Sequence, residues 1–321
     1  MRYEKPFLTY EAQAQRLLER GMQADPEQLV QTLQQVNYYR LSAYWYSFRE
    51  ADPDDPTGKI RLNRFREGTR FQDVWSRYTF DRQLRVLVMD AIERAEIAIR
   101  TRAVHLFCEA HGPFGYLDLS NFHRQWKTSD HTSWLLGMQK RVEHAREEFV
   151  RHYRTRYTEE RHLPFWMLSS LMTFGDLFTF CRNLQKPMLR KLAEEFGLVD
   201  DILKSWLQVL NFVRNVCAHH GRLWNREMPI KPKIPRGRKH PEWHNPVKVP
   251  DNRIFGVLTV LRYLMNQVAP QSRWSCRLVR LLKNYPELSR EAMGFPENWA
   301  QCPIWHNCRA THLLREVNLT N

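Results

Sequence analysis

The sequence has no run of about eighteen apolar residues, the length that a membrane-spanning helix requires. Its first residues, MRYEKPFLTYEAQAQRLLERG, carry charges throughout and lack the apolar stretch of a secretory signal peptide. We therefore expect a cytosolic (cytoplasmic) protein without membrane contacts. With 321 residues, of which 43% are hydrophobic, the chain can bury a sizeable core as one large domain or two smaller ones.

Convincing runs of alternating apolar and polar residues, the mark of half-buried strands, are also missing. Apolar residues recur at helical spacing, which predicts an all-α fold. The six cysteines are widely scattered and predict free thiols instead of a disulfide framework. Cys302, His306, Cys308 and His312 lie close together, but their spacing differs from that of a short-spaced zinc knuckle. We therefore predict no metal and no cofactor.

The helical pattern divides the chain into three predicted parts. Residues 1–70 form an N-terminal helical extension and linker, 71–285 a helical domain, and 286–321 a C-terminal segment packed on that domain. The linker READPDDPTGKIRLNRFREGTRF is rich in Pro, Asp and Gly, although KIRLNRF fits one strand of a short β-hairpin equally well. The predicted helices are Thr9 to Gly21, Asp25 to Tyr39, Phe71 to Glu109, Thr132 to Thr155, Pro164 to Gly175 continuing to Leu184, Lys186 to Phe196, Val199 to Arg222, Arg253 to Val268 and Ser272 to Lys283.

The balance of charge is strongly basic. Lys and Arg number 49 against 35 Asp and Glu, which leaves a formal net charge of +14. Such a surface suits a polyanionic partner, and arginine in particular suits bidentate contacts to phosphates. A basic enzyme without a polyanionic partner has the same composition, so charge alone does not decide between them.

Two segments carry polar residues beside apolar helical faces. On the long helix from Phe71, the spacing of Glu96 and Arg100 predicts an ion pair within the helix, with a contact to substrate as the alternative. In NFVRNVCAHHGRLWNRE, the apolar face runs through Trp206, Leu210, Val213 and Cys217, and the adjoining stripe contains the residues Asn211, Arg214, Asn215, Ala218, His219 and Arg222. Arg214 and His219 diverge around the helix, but the long arginine side chain can reach the space in front of the imidazole.

The bare spacing of an arginine five residues before a histidine is a weak signal, because it also occurs at Arg100 and His105. Of the two pairs, only Arg214 and His219 have an amide directly after the arginine and a second histidine, His220, after the first. This pair is also followed by Gly221, which we expect to terminate the helix. The alternative is a purely structural role for these polar groups, in which they cap the helix end or form a dimer contact without catalysis.

The block RNVCAHHGRLWNR resembles the RNxxAHxxRLWNR block of the Abi family, the AbiD/AbiF-like abortive infection proteins of bacteria, within the HEPN superfamily. Four other blocks are similar in the same order: VNYYRLSAYWYSFR, FDRQLRVLVMDAIERAEIAIRTR, PFWMLSSLMTFGDLFTFCRNL and MGFPENWAQCPIW. The resemblance implies a HEPN-type helical bundle, a metal-independent ribonuclease activity and a homodimer that brings two motifs together. Some members of the family are thought to work with a small non-coding RNA.

The residues fit that chemistry. Cleavage of RNA without a metal needs an acid/base group near neutral pH and positive charge on the phosphate, so we assign His219 as the acid/base and Arg214 as the phosphate ligand. Asn215 would orient His219 or bond the phosphate. His220 is expected to be structural, and a structural role is also preferred for Arg100 and His105. A second imidazole would come from a second copy of the chain.

Downstream of the motif, MPIKPKIPRGRKHPEWHNPVKVP combines cations with prolines that stiffen the chain. We predict RNA contacts here, with a solvated basic loop as the alternative, and Trp243 as a residue that stacks on a base. The RNA-binding residues that we predict are Arg222, Lys231, Lys233, Arg236, Arg238 and Lys239. A second aromatic cluster, Tyr38, Tyr39, Tyr44 and Trp45 around Arg40, is expected to be core.

Two functions are consistent with these observations. The first is an endoribonuclease that acts as a toxin in phage defence and cleaves RNA at a site shared between two subunits. The second is a non-catalytic protein that holds a small non-coding RNA. Both require RNA as a partner, and they differ in whether His219 is needed for more than binding.

Overall fold

The computed structural model describes Arg2, Glu4 and residues 6–57, 59–236 and 238–306. The described part contains thirteen α-helices and one two-stranded sheet, so the all-α prediction is confirmed apart from one small hairpin. The five described cysteines are free thiols, as predicted. Among the described residues, no helix combines the length and the apolar character that crossing a bilayer requires.

The chain divides into two compact units. The first contains the described residues up to Leu84 together with Asn284–Leu288, and the second contains Arg85–Lys283 together with the described residues from Ser289 onward. The boundary falls inside α4 (Phe71–His111), a helix of 41 residues. This division differs from the predicted boundaries at residues 70 and 285.

The first unit begins with three helices, α1 (Tyr10–Glu19), α2 (Pro26–Gln35) and α3 (Tyr38–Trp45). The single helix predicted from Asp25 to Tyr39 is wrong, because Val36 is extended and the Asn37 side chain accepts a hydrogen bond from the Tyr39 amide to start α3. The three helices share a core with the start of α4, which includes the residues Leu17, Leu29, Leu33, Leu41, Trp45, Phe65 and Val74.

The predicted aromatic cluster lies largely in this core. Tyr44 and Trp45 are buried, and the Tyr44 hydroxyl donates to the buried carboxylate of Asp81 over 2.7 Å. Tyr39, by contrast, is 70% exposed. Burial of the first two confirms that the cluster is mainly a packing feature.

The proline- and aspartate-rich linker forms the hairpin that we considered as an alternative. Strand β1 (Arg49–Ala51) pairs antiparallel with β2 (Arg61–Phe65), and Arg49 lies opposite Phe65. Asp55 organises the turn, because its carboxylate accepts hydrogen bonds from the amides of Thr57, Lys59 and Ile60. These bonds lower the pKa of Asp55 to about 2.

The second unit contains the remainder of α4 and nine further helices. They are α5 (Thr128–His144), α6 (Glu148–Arg156), α7 (Phe165–Leu168), α8 (Phe174–Arg182), α9 (Lys186–Glu194), α10 (Asp200–Ala218), α11 (Ile254–Val268), α12 (Trp274–Lys283) and α13 (Pro303–His306). The helix predicted from Thr132 to Thr155 is two helices, because the backbone of Ala145 is extended. Helix α10 packs against α8, α9 and α11, and this arrangement positions the site described below.

Candidate functional site

The end of α10 carries the predicted motif. The apolar face predicted from the sequence is buried, with Trp206, Leu210, Val213 and Cys217 all inside the core. On the other side of the helix, Arg214 is half-buried, and Asn215 and His219 are exposed. The packing of α10 therefore fixes the motif at the surface.

The helix ends in a hydrogen-bonded C-terminal turn directly at the motif. The amide of His219 donates to the Asn215 carbonyl at 3.0 Å, that of His220 to Cys217 at 2.9 Å, and that of Gly221 to Val216 at 2.7 Å. The last two bonds form a Schellman motif, in which the residue after the cap adopts the left-handed conformation. That residue is His220, with φ of 56°.

Gly221 has a different role from the helix-terminating one that we predicted. A β-carbon at this position would lie 3.0 Å from Val216 Cγ1 and 3.1 Å from the Val216 carbonyl oxygen. The missing side chain thus allows the close approach that the final hydrogen bond of the turn needs. Arg85 on α4 donates to the Gly221 carbonyl over 3.4 Å and ties the same turn to the long helix.

Within the motif, the side chain of Asn215 is directed to the arginine. Arg214 Nη1 lies 3.4 Å from Asn215 Oδ1, at the long end of a hydrogen bond. In the described part of the chain, no hydrogen bond joins the side chains of Asn215 and His219. The orienting role proposed for Asn215 is thus not visible as a contact, and its exposed amide remains available to a phosphate.

The predicted ion pair between Glu96 and Arg100 is present on α4. Their side chains are 16% and 17% exposed, so the pair is half-buried and not a fully solvated surface feature. Arg100 Nη2 also donates to the Met172 carbonyl over 3.1 Å. A carboxylate and a guanidinium at this depth each need the other, because either alone would be costly to bury.

The same carboxylate connects α4 to the motif. Burial raises the pKa of Glu96, and the positive charges of Arg100 and Arg214 oppose that rise. Arg214 is therefore close enough to act on Glu96 electrostatically, and the three residues form one charge cluster. We expect the cluster to restrict where the Arg214 guanidinium lies.

The first turn of α8 borders the polar stripe of α10. The start of this helix was not predicted from the sequence. The Thr173 side chain accepts from the Asp176 amide, and the Asp176 carboxylate accepts from the Thr173 amide at 2.8 Å, which forms a capping box. A β-carbon on Gly175 would lie 3.9 Å from Asn211 Oδ1. The pattern Thr-x-x-Asp in MTFGD is the signal that could have revealed this helix start.

The predicted RNA-binding cations from Lys231 to Lys239 lie beside the start of α10, away from the motif. Lys233 is fixed beside the first half of α10, because its amide donates to Ser205 Oγ and its carbonyl accepts from Trp206 Nε1, both at 2.9 Å. Its ammonium pairs with Asp201 at 2.9 Å. At 1.5 Å per residue, Ser205 lies about 21 Å along the helix from His219. Arg222 follows the motif directly and is half-buried.

The prediction that Trp243 stacks on an exposed base is wrong. Its ring is fully buried and packs against Trp206 and Tyr263, with centroids 5.4 Å and 5.6 Å away. Among the residues discussed as a weak zinc set, Cys302 is buried and His306 is exposed. Cys308 and His312 lie outside the described residues.

The comparisons with known proteins give one match. The family model described as Abi-like protein matches residues 31–225, which is more than half of the chain and contains the motif. No curated protein and no solved structure matches the chain.

The half-buried ion pair generates a prediction about stability. Glu96→Ala leaves the half-buried Arg100 without its carboxylate, so we expect the free energy of unfolding to fall by about 1–2 kcal/mol, between the values for an exposed and a fully buried pair. Urea denaturation followed by circular dichroism measures this change. Glu93→Ala, which removes an exposed carboxylate from the same helix, is the matched control and should change stability by less than about 0.5 kcal/mol. Equal stability of the two variants would contradict the assignment.

Proposed function

Because this chain belongs to the Abi-like protein family, we propose that it is a metal-independent endoribonuclease of an abortive infection system, one that limits phage growth by cleaving RNA. The observation that carries the proposal is the end of α10. There an exposed imidazole, His219, lies five residues after a half-buried guanidinium, Arg214, whose charge acts on Glu96.

The reaction follows from what these groups can do. A base removes the proton from a ribose 2′-hydroxyl, the 2′-oxygen attacks the adjacent phosphorus, and an acid protonates the departing 5′-oxygen. An imidazole suits either proton transfer near neutral pH, and a guanidinium stabilises the extra negative charge on the phosphorane. The products are a 2′,3′-cyclic phosphate and a 5′-hydroxyl.

The proposal includes a homodimer of HEPN type. One chain offers one motif, whereas the reaction involves two proton transfers on opposite sides of the scissile bond. A two-fold axis near the end of α10 would place a second imidazole across the bond. The exposed residues Asn215, Ala218 and His219 are compatible with such a shared site.

A second candidate is a non-catalytic protein that holds a small non-coding RNA. It is favoured by one specific observation, namely that the cations from Lys231 to Lys239 lie near the first half of α10, away from the motif. Affinity for RNA would then depend on residues that take no part in cleavage. The two candidates differ in what the loss of His219 does.

The first prediction from this proposal concerns His219→Ala. We expect cleavage of single-stranded RNA to fall at least about 100-fold, near the lower limit for loss of a general acid/base, while RNA binding is retained. His105→Ala is the matched control, because His105 is exposed and carries the same arginine spacing without the amide. Gel assays of labelled RNA measure the rates. A fully active His219→Ala protein would refute the assignment, and binding without cleavage by the parent would favour the second candidate.

A further prediction concerns metal ions. Since no magnesium ion takes part in the proposed steps, an excess of EDTA should leave the cleavage rate unchanged within about twofold. The same gel assay, with and without chelator, measures this. Activity that disappears with EDTA and returns with Mg²⁺ would indicate a different class of nuclease.

The shared site makes a quantitative prediction for mixed dimers. If both imidazoles are needed, parent protein exchanged with a tenfold excess of His219→Ala protein forms mostly inactive pairs, so activity per parent chain falls about tenfold. If each chain acts alone, activity per parent chain is unchanged. Adding the same excess of an unrelated protein of similar mass, which cannot pair with the parent, tests whether dilution alone has this effect. Light scattering on the same samples reports the mass, and an active monomer would contradict the model.

A further inference from the structure

A groove lies between the N-terminal end of α10 and the proline-rich segment that follows the motif. It has a volume of about 980 Å³ and is lined on one side by Leu198, Val199 and Ile202. This volume is at the upper end of the range for ligand sites in proteins. The motif at the other end of α10 is not part of the lining.

The opposite wall of the groove is rigid. Pro232 and Pro235 are buried, and Lys233 is held to α10 through its amide and its carbonyl. The Pro235 carbonyl bonds to His244 Nε2 over 2.8 Å. Proline fixes one backbone dihedral at each of these positions, so little conformational entropy remains to be lost when a ligand binds.

The lining is strongly cationic. Two carboxylates, Asp201 and Asp251, also line the groove, and Asp201 is paired with Lys233 in an exposed ion pair that contributes little to stability. The positively charged residues of the lining are Lys231, Lys233, Arg236, Arg238, Lys239 and Lys248. A ligand that matches this groove carries several negative charges and some apolar surface for Val199 and Ile202.

We propose that this groove is a docking site for single-stranded RNA, separate from the cleavage motif. A single strand offers a row of phosphates for the cations and base faces for the apolar floor. A lipid surface is flat and does not fill a concave groove, and an acidic peptide is left as an outcome of the test. The ligand assignment rests on the proposed function, because RNA is the polyanion that the motif would cleave.

The separation of the two sites sets a minimum length for the RNA. Lys233 in the groove is bonded to Ser205, which lies about 21 Å along α10 from His219. This distance corresponds to about six phosphates of a stacked strand, at 3.4 Å for each phosphate. An RNA of about four nucleotides is therefore too short to occupy the groove and the motif of one chain together, whereas one of about twelve nucleotides is long enough.

The test uses the full-length His219→Ala protein, so that binding is measured without cleavage. Fluorescence anisotropy with labelled RNA of about twelve nucleotides is compared with that for about four nucleotides. The groove variant carries Arg236→Gln, Arg238→Gln and Lys239→Gln, all at exposed positions. The matched control carries Arg151→Gln, Arg156→Gln and Arg161→Gln, which are also exposed and remove the same charge elsewhere in the second unit.

We expect the groove variant to bind the longer RNA at least about tenfold more weakly than the control. The slope of log K against log salt concentration should also become shallower by about two, because each lost phosphate contact removes about 0.7. Equal binding by the groove variant and the control would overturn the proposal. So would displacement of the RNA by polyglutamate or by the matching DNA strand at the same concentration as by RNA itself. Failure of the parent to cleave RNA would overturn the proposed function but leave this comparison readable.

Discussion

Burial of one face of α10 is the constraint on which the rest of the second unit depends. Trp206, Leu210, Val213 and Cys217 lie in the core, and each fully buried Val or Leu side chain contributes about 1.5–3 kcal/mol. Once this face is fixed, 3.6 residues per turn decide which side chains reach the surface. The packing thereby places Arg214 and His219 at the surface near the C-terminal end of the helix. It also places Ser205, which accepts the hydrogen bond of the Lys233 amide, in the N-terminal half.

Electrostatics explains why a half-buried carboxylate is found beside an arginine-rich site. Glu96 forms a direct ion pair with Arg100, and the positive charge of Arg214 also acts on its pKa. Without the carboxylate, Arg100 would lose its ion-pair partner in a chain whose formal net charge is already +14. Loss of either partner of the pair is therefore expected to destabilise the fold.

The sequence is sufficient for features that depend on local periodicity. The buried face of α10 and the pair Glu96–Arg100 follow from spacing on a single helix, and both are confirmed. Features that depend on contacts distant in sequence were not predictable. Trp243, which its basic sequence neighbours suggested would be exposed, is buried by packing against Trp206 and Tyr263. The hydrogen bond from the Lys233 amide to Ser205 holds the basic segment away from the motif.

Short-range signals were also missed where two of them compete. Asn37 caps the start of α3, but the apolar residues on either side of it keep helical spacing. Because we followed the spacing, we predicted one helix where there are two. The family match extends across residues 31–225 and therefore covers this point, the ion pair and the motif alike. It identifies the family of this segment but no contact within it.

The turn at the end of α10 has a consequence for how the gene tolerates change. At Gly221, a β-carbon would lie 3.0 Å from Val216 Cγ1 and 3.1 Å from the Val216 carbonyl oxygen, so any side chain requires Val216 to shift. Two positions earlier, His219 is exposed, and most replacements would leave the fold intact. A library of variants scored for the amount of folded protein would therefore separate two neighbouring codons, one that packing restricts and one that it does not.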